Sequence, residues 1–234
     1  MAKQDSKPLA RSSVTAIKTT VEDTVLVERR RAQLTQSAIA CFSERGYHST
    51  TIRDVADRAN VSIGLIYQYV GDKEDLLFLA LQEVLQAYHR QIPLALEGLQ
   101  DPMQRLFKAV YMHCRINGDS VDATVLAYRE TKSLRPERRN AIKQMEIDAN
   151  ELIATCVRDC IDFGLFGDVD MDLFVYQVVM FSHAWALKSW HFARLMDVGT
   201  YVDRGLKLLL RGVLTATGER TLRAMELGSR TAVR

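Results

Sequence analysis

Apolar residues recur at helical spacing between Thr50 and Lys73, and they divide this stretch into two short helices joined by a turn. The apolar positions of the first helix follow the spacing i, i+3, i+4 and i+7 and are Ile52, Val55, Ala56 and Ala59. Thr51 can cap this helix and form a capping box with Asp54, so the helix should begin at Thr51. Asn60 tolerates the left-handed backbone needed at a helix end, so the helix should stop there.

The second helix, Ile63 to Val70, presents an outward face that needs a partner. Ser62 is its candidate N-cap, Gly71 can close it, and Ile66 and Tyr69 can face inward. The outward positions carry small, apolar or hydrogen-bonding groups rather than charges and are Ser62, Gly64, Leu65, Tyr67 and Gln68. A helix-turn-helix places such a helix in the DNA major groove. The alternative interpretation is an internal helical hairpin of an all-α enzyme.

The rest of the pattern predicts an all-α chain, with Pro and Gly mostly between periodic segments. We expect a flexible extension over residues 1–23, a three-helix DNA-binding domain over 24–75, a helical domain over 76–217 and a tail over 218–234. The helix after Lys73 should be interrupted near Pro93. The later helices are predicted at Pro102 to Asn117, Val121 to Ser133, Pro136 to Phe163, Met171 to Leu195 and Tyr201 to Thr217.

Charge and targeting signals narrow the function classes only slightly. The formal net charge is +2, and basic residues between Thr24 and Asp75 are matched one for one by acidic ones. Any DNA affinity must therefore come from the arrangement of charges. The chain lacks a long apolar run and a signal-peptide core, which predicts a cytoplasmic protein without a membrane partner. The cysteines lack metal-ligand spacing, so neither a metal nor a cofactor is expected.

The ordered motifs between Glu28 and Leu81 resemble the tetracycline-repressor-like (TetR, AcrR-type) family of transcriptional regulators. They are Arg45-Gly46-Tyr47, Thr50 to Ala56, Ala59 to Ser62, Ile66 to Tyr69 and Lys73 to Leu77. Asn60 stands where a glycine is usual, and Val70 where an aromatic residue is usual. The resemblance implies a homodimer, a palindromic DNA operator, and a C-terminal helical bundle for dimerisation and ligand binding, with release from DNA when a small molecule binds.

The resemblance and the side-chain chemistry together suggest the residues that contact DNA. The residues expected to hold the DNA backbone are Thr51, Arg53, Ser62, Tyr67, Tyr69 and Lys73. The residues expected at base edges are Gly64, Leu65 and Gln68. Basic residues of the extension, including Lys3, Lys7, Arg11 and Lys18, could reach a minor groove or phosphates, although a dispensable tail is an equal alternative.

Polar and aromatic residues within the apolar pattern of the C-terminal half are the candidates for an effector site. They are Tyr111, His113, Cys114, Tyr128, Arg129, Lys132, Phe163, His183 and Trp185. An apolar pocket with Arg129 and Lys132 at its rim would suit a hydrophobic or amphipathic anion, such as a fatty acid or an acyl-CoA. The alternative for Arg129 is a solvated charged helix face with a local ion pair.

Excess apolar surface on the last two predicted helices suggests a four-helix dimer interface. The residues expected to provide it are Phe174, Val178, Phe181, Trp185, Leu206, Leu209, Leu210 and Val213. A protein-binding adaptor or a helical enzyme remains the rival function class. The chain lacks the common phosphate-loop, hydrolase and zinc-protease motifs, so we do not expect an enzyme.

Overall fold

The computed structural model describes residues 17–231, with side chains described through residue 226, and every regular element in this range is helical. The helices up to the middle of the chain are α1 Thr24–Arg45, α2 Ile52–Ala59, α3 Ile63–Tyr69, α4 Lys73–Leu96, α5 Pro102–Asp119 and α6 Val121–Glu130. A 3-10 turn, Thr131–Ser133, follows, and the remaining helices are α7 Pro136–Asp162, α8 Met171–Leu187, α9 Ser189–Phe192, α10 Val198–Leu210 and α11 Ala216–Thr231. The all-α prediction is confirmed.

The chain forms two compact units, and the first contains the N-terminal helices together with residues 129–144. Helices α1, α2 and α3 pack against one another around an apolar centre. Its fully or nearly fully buried residues include Leu34, Ala38, Phe42, Val55 and Ile66. The spacing that predicted the buried faces of α1 and α2 is therefore confirmed.

The predicted ends of α2 are confirmed in detail. The Thr51 hydroxyl accepts the Asp54 backbone N–H at 3.2 Å, and the Asp54 carboxylate accepts the Thr51 N–H at 2.7 Å. Asn60 adopts the left-handed conformation, with φ 53° and ψ 50°. Helix α3 ends one residue earlier than expected, because the backbone of Val70 is extended. The Val70 side chain is completely buried.

Among the described residues, the second unit comprises residues 82–128 and 145–231. Helix α5 packs against α8 and α10, which also contact each other. Apolar residues from all three helices are completely buried, among them Leu106, Val110, Val178 and Leu206. In the described part of the chain, no helix is both long enough and apolar enough to cross a membrane.

Three predicted helix boundaries are wrong. Helix α4 continues through Pro93 to Leu96, because the exposed proline removes a single backbone hydrogen bond and its ring faces solvent. The helix predicted to reach Leu195 leaves helical geometry at Lys188, where φ is −120° and ψ is 27°. The last predicted helix ends at Leu210 rather than Thr217, and α11 forms within the expected tail, with the Gly218 N–H bonded to the Thr215 hydroxyl at 3.1 Å.

Four of the eight apolar residues that we expected at a dimer interface are buried inside the second unit instead, and the other four are partly exposed. Phe174, Val178, Leu206 and Leu210 are each less than 9% exposed, because these faces of α8 and α10 pack on α5 and on each other. A different stripe of α8 is exposed. Its residues follow the spacing i, i+3 and i+7 and are Leu173 (59% exposed), Tyr176 (45%) and Met180 (46%).

Candidate functional site

Helix α3 presents one polar, uncharged face outward from the first unit. Ser62 caps the helix by accepting the Leu65 N–H at 3.2 Å, and no residue of α3 carries a charge. Tyr67 is 52% exposed, and Gly64 and Gln68 are also exposed. Because Ile66 and Tyr69 are buried on the opposite side, this outward face has a fixed orientation.

The start of α2 places two further predicted DNA contacts at the surface, since Thr51 and Arg53 are both exposed. The neighbouring Asp54 carboxylate is held by Thr51 and by Arg45, whose guanidinium lies 2.6 Å away. Hydrogen bonds from Thr51 lower the pKa of Asp54, and Arg45 adds to that shift. The carboxylate is thus committed to capping and pairing within the protein.

Lys73 and Tyr69, which we expected to contact DNA phosphates, are engaged within the protein. The Lys73 ammonium donates to the backbone carbonyls of Tyr47, His48 and Thr50 at 2.9, 3.2 and 2.9 Å. These bonds use the three donors of a lysine, and the ammonium also lies 4.5 Å from the centre of the Tyr47 ring. Tyr69 is only 3% exposed. In this structure both residues stabilise the fold around α3.

The segment that precedes α1 is fastened to the C-terminal end of α3. The Gln68 carbonyl accepts hydrogen bonds from the Thr19 hydroxyl at 2.8 Å and the Thr20 N–H at 3.1 Å. Arg31 donates to the Tyr69 carbonyl at 3.0 Å and to the Ile17 carbonyl at 2.7 Å. Lys18 is exposed, whereas Lys3, Lys7 and Arg11 lie outside the described residues.

A cluster of ion pairs holds the loop between α3 and α4. The Asp75 carboxylate accepts the Gly71 N–H at 2.6 Å and pairs with the guanidinium of Arg138 from α7. Arg138 also lies over the Phe78 ring at 5.2 Å. Nearby, Arg135 pairs with Asp72 at 3.2 Å and with Glu74 at 2.8 Å. Residues 129–144 thereby secure the segment that follows the candidate recognition helix.

In the second unit, three of the predicted effector residues come together. The Tyr128 hydroxyl lies 2.6 Å from Nδ1 of His183. The His183 ring stacks on that of His113, with ring centres 5.3 Å apart, and His113 stacks on Tyr88 at 4.0 Å. Tyr128 is 50% exposed, His183 8% and His113 not at all, so the cluster runs from the surface into the interior.

Asn117 continues this polar cluster inward. Its side-chain oxygen accepts the Tyr88 hydroxyl at 2.6 Å and the Thr124 hydroxyl at 3.2 Å. Its amide nitrogen donates to the His113 carbonyl at 2.9 Å and lies 3.2 Å from Nδ1 of the His113 ring. A carbonyl can only accept, which identifies the Asn117 nitrogen as a donor and Nδ1 as its acceptor. The proton of a neutral His113 ring therefore sits on Nε2.

Burial keeps the two histidines neutral. Burial lowers the pKa of His113 well below its ordinary value, and the neighbouring His183 lowers it further. Burial also lowers the pKa of His183, to about 4. Burial raises the pKa of Tyr128, and the nearby Glu146 carboxylate raises it further. The cluster is thus uncharged at neutral pH, apart from Glu146 at its edge.

The other predicted effector residues do not join this cluster through any contact seen in the described residues. Cys114 is completely buried, and burial raises its pKa to about 12. Phe163 is 69% exposed beyond the end of α7, a surface position rather than a pocket wall. Trp185 lies beside the Tyr201 ring, and the ring of Tyr111 lies beneath the Lys108 ammonium. Arg129 and Lys132 are exposed and belong to the first unit.

A separate cleft of about 340 Å³ opens in the second unit between the end of α4 and α7. Its lining includes Ile92, Leu96, Arg105, Leu152 and Cys156. None of the predicted effector residues lines it.

Sequence reasoning missed four residues of the polar cluster around His113, namely Tyr88, Asn117, Thr124 and Glu146. The i, i+4 spacing of His113 and Asn117 within an apolar helix was a signal that could have been used.

Comparisons with known proteins agree with both parts of the fold. Residues 34–80 match the family described as bacterial regulatory proteins, tetR family, and residues 99–190 match the tetracyclin repressor-like C-terminal domain. The chain is 45% identical over 223 residues to the HTH-type transcriptional regulator HbdR of Aromatoleum sp. (strain CIB), covering 95% of this chain and 97% of that protein. It is 27% identical over 174 residues to the HTH-type transcriptional repressor KstR2 of Mycobacterium tuberculosis, covering 70% and 82%. A tetR-family regulatory protein from Rhodococcus RHA1 has a similar structure, with a TM-score of 0.71 at 22% identity over 80% of this chain and 97% of that one.

Proposed function

Because the chain belongs to the TetR family of bacterial regulatory proteins, we propose that it binds a palindromic DNA operator as a homodimer. A small hydrophobic or amphipathic effector, such as an acyl-CoA or a fatty acid, releases it from the operator. The observation that carries this proposal is the exposed and uncharged face of α3, which is held in place by two buried residues on the opposite side.

The chemistry of this face suits the major groove. Gly64 allows the helix backbone to approach the bases closely, Leu65 can contact a thymine methyl, and the Gln68 amide can pair with adenine. The side chains of Thr51, Arg53, Ser62 and Tyr67 surround this face and hydrogen-bond phosphates. Lys73 and Tyr69 contribute indirectly, by holding the loops and the core that orient α3.

The test begins with selection of a preferred site from random duplex DNA by gel retardation with the full-length protein. Gln68→Ala should then relax the preference at one base position, with a loss of about 1–3 kcal/mol of discrimination. Arg53→Ala should weaken binding to all sequences and reduce the slope of the salt dependence by about one. Arg58→Ala is the matched control on α2, because Arg58 already pairs with Glu44. Equal losses on operator and random DNA for Gln68→Ala would contradict its assignment.

The exposed stripe of α8 is the proposed dimer interface. Leu173, Tyr176 and Met180 offer adjacent apolar side chains on a long helix, and such a surface is usually covered in an assembly. Two copies of α8 and α10 would then pack about a two-fold axis. Met180→Asp should convert a dimer into a monomer in analytical ultracentrifugation, whereas Leu94→Asp, at a 65% exposed position on α4, should not. A wild-type monomer at micromolar concentration would refute the proposal.

The second unit is the proposed effector domain, because it contains a large apolar core interrupted by the polar cluster of His113 and His183. An effector releases DNA only if it binds more tightly to the conformation that does not bind the operator. Titration of an acyl-CoA and its free acid against the operator complex tests this. Arg129 follows Tyr128 in the chain, so Arg129→Ala determines whether its cation contributes to the response to an anion. An unchanged response would exclude that contribution.

A further inference from the structure

The buried polar cluster of the second unit contains one hydrogen-bond donor without a partner. Nε2 of His113 is completely enclosed and has no hydrogen-bond partner in the described residues. The bonds that Asn117 makes to this residue place the ring proton on Nε2. A buried donor without an acceptor is costly, so such a group usually faces a ligand or an ordered water.

The surroundings of this donor determine which kind of acceptor it can take. The ring lies between Tyr88 and His183, and both are themselves hydrogen-bonded, to Asn117 and Tyr128 respectively. Glu146 lies close enough to Tyr88 and Tyr128 for its negative charge to act on both. A carboxylate or phosphate at this point would lose its hydration and face another negative charge without a compensating cation among these residues. A neutral oxygen would have neither penalty.

We propose, on the premise that the second unit is the effector domain, that His113 Nε2 donates a hydrogen bond to an uncharged oxygen of an apolar effector. This oxygen belongs to a carbonyl, as in a ketone or thioester, or to a hydroxyl. The half-exposed Tyr128 stands at the outer end of the cluster, and any anionic part of the effector remains outside it. Of the two effectors named in the proposed function, this assignment retains the acyl-CoA thioester and excludes the free fatty acid, because its carboxylate would lose its hydration at this point.

The experiment uses full-length protein labelled with ¹⁵N in its histidine rings, and three probes of equal chain length: 2-decanone, 1-decanol and decanoate. The NMR signal of the His113 Nε2–H should shift on addition of the ketone or the alcohol and should be unaffected by decanoate. His113→Phe removes the donor and should weaken ketone binding about fivefold. His113→Gln retains an N–H near the same place and should restore most of the affinity. His89→Gln, at an exposed position on α4, is the control and should bind the ketone as the wild type does.

Three results would overturn the proposal. One is an Nε2–H signal that neither neutral probe shifts up to its solubility limit, and another is decanoate binding as tightly as the ketone. The third is a magnetisation transfer from Nε2–H to a bound water that persists at saturating probe. The wild-type spectra decide the matter even if His113→Phe fails to fold. Operator retention measured on the same samples separates this result from the proposed function, because failure to bind an operator leaves the His113 measurement intact.

Discussion

Replacing Arg138 by methionine should destabilise the first unit strongly, because it removes the cation that is paired directly with the buried Asp75 carboxylate. The Arg138 and Asp75 side chains are 11% and 6% exposed, and their charges are paired. Asp75 also accepts the backbone N–H groups of Gly71 and Asp72 at 2.6 and 3.3 Å. These bonds fix the loop that follows α3, so the loop should loosen when the pair is broken.

Arg138→Met should lower the free energy of unfolding by about 3 kcal/mol. This is at the lower end of the range for breaking a buried ion pair, because the two backbone donors continue to stabilise Asp75. Methionine replaces much of the arginine stem that covers Phe78, which limits the contribution of lost packing. Arg135→Met is the matched control. Arg135 is 56% exposed in its pairs with Asp72 and Glu74, so its removal should cost at most about 1 kcal/mol.

Urea unfolding followed by circular dichroism, at one fixed protein concentration, provides the measurement. The Asp75→Asn substitution added to Arg138→Met should recover part of the lost stability, because it removes the unpaired charge while retaining an oxygen for the Gly71 N–H. Operator affinity should follow the same order as stability. If Arg138→Met costs no more than Arg135→Met, or if Asp75→Asn gives no recovery, the ion pair does not stabilise the unit as argued.

Three further predictions concern backbone conformation, packing and pH. Asn60→Ala should lower the free energy of unfolding by about 1 kcal/mol, because φ is 53° at this position, whereas Asn60→Gly should leave it unchanged. Equal urea midpoints for the two variants would contradict this. Gly218→Ala should lower the free energy of unfolding by about 1–3 kcal/mol, because the new methyl group would overlap the Leu165 carbonyl. Gly212→Ala is the control and should be neutral, because the described structure leaves open space there. Similar thermal midpoints for the two variants would refute the clash. Burial lowers the pKa of His183 from 6.5 to about 4, so the unfolded chain takes up this proton first as the pH falls. The wild type should therefore lose about 2 kcal/mol more stability than His183→Gln between pH 7 and pH 5, and parallel pH profiles would exclude this contribution.

The helix-turn-helix could be predicted because its determinants are local. Thr51 and Asp54 are three residues apart, and both the capping box and the turn at Asn60 depend on the conformations of neighbouring residues. The apolar spacing of α2 was also sufficient to identify its buried face, since Val55, Ala56 and Ala59 point to one side of a regular helix. Local chemistry therefore determined both the boundaries and the orientation of these elements.

The contacts that the sequence could not predict join residues that are far apart in the chain. Arg138 and Asp75 are separated by 63 positions, and Tyr128 and His183 by 55. Lys73 was expected at a phosphate from the family resemblance and its hydrogen-bonding type. Its three carbonyl acceptors belong to a loop 23 to 26 positions earlier. No periodicity or capping rule specifies such pairings, because they arise only when helices pack.

The same long-range contacts bear on how this unit distinguishes DNA sequences. Several of its arginines already bond to groups of the protein, namely Arg31, Arg45, Arg58, Arg135 and Arg138. The balanced charge of the unit therefore reflects cations engaged within the fold, so a bulk positive surface is not the basis of its DNA affinity. In the proposed operator complex, affinity depends on a few proposed phosphate contacts, such as Arg53, and on the two-fold repetition of the site in the proposed dimer. Since α3 carries no charge to attract phosphates unselectively, its proposed contribution consists of hydrogen bonds and close packing against bases, which are the interactions that depend on sequence.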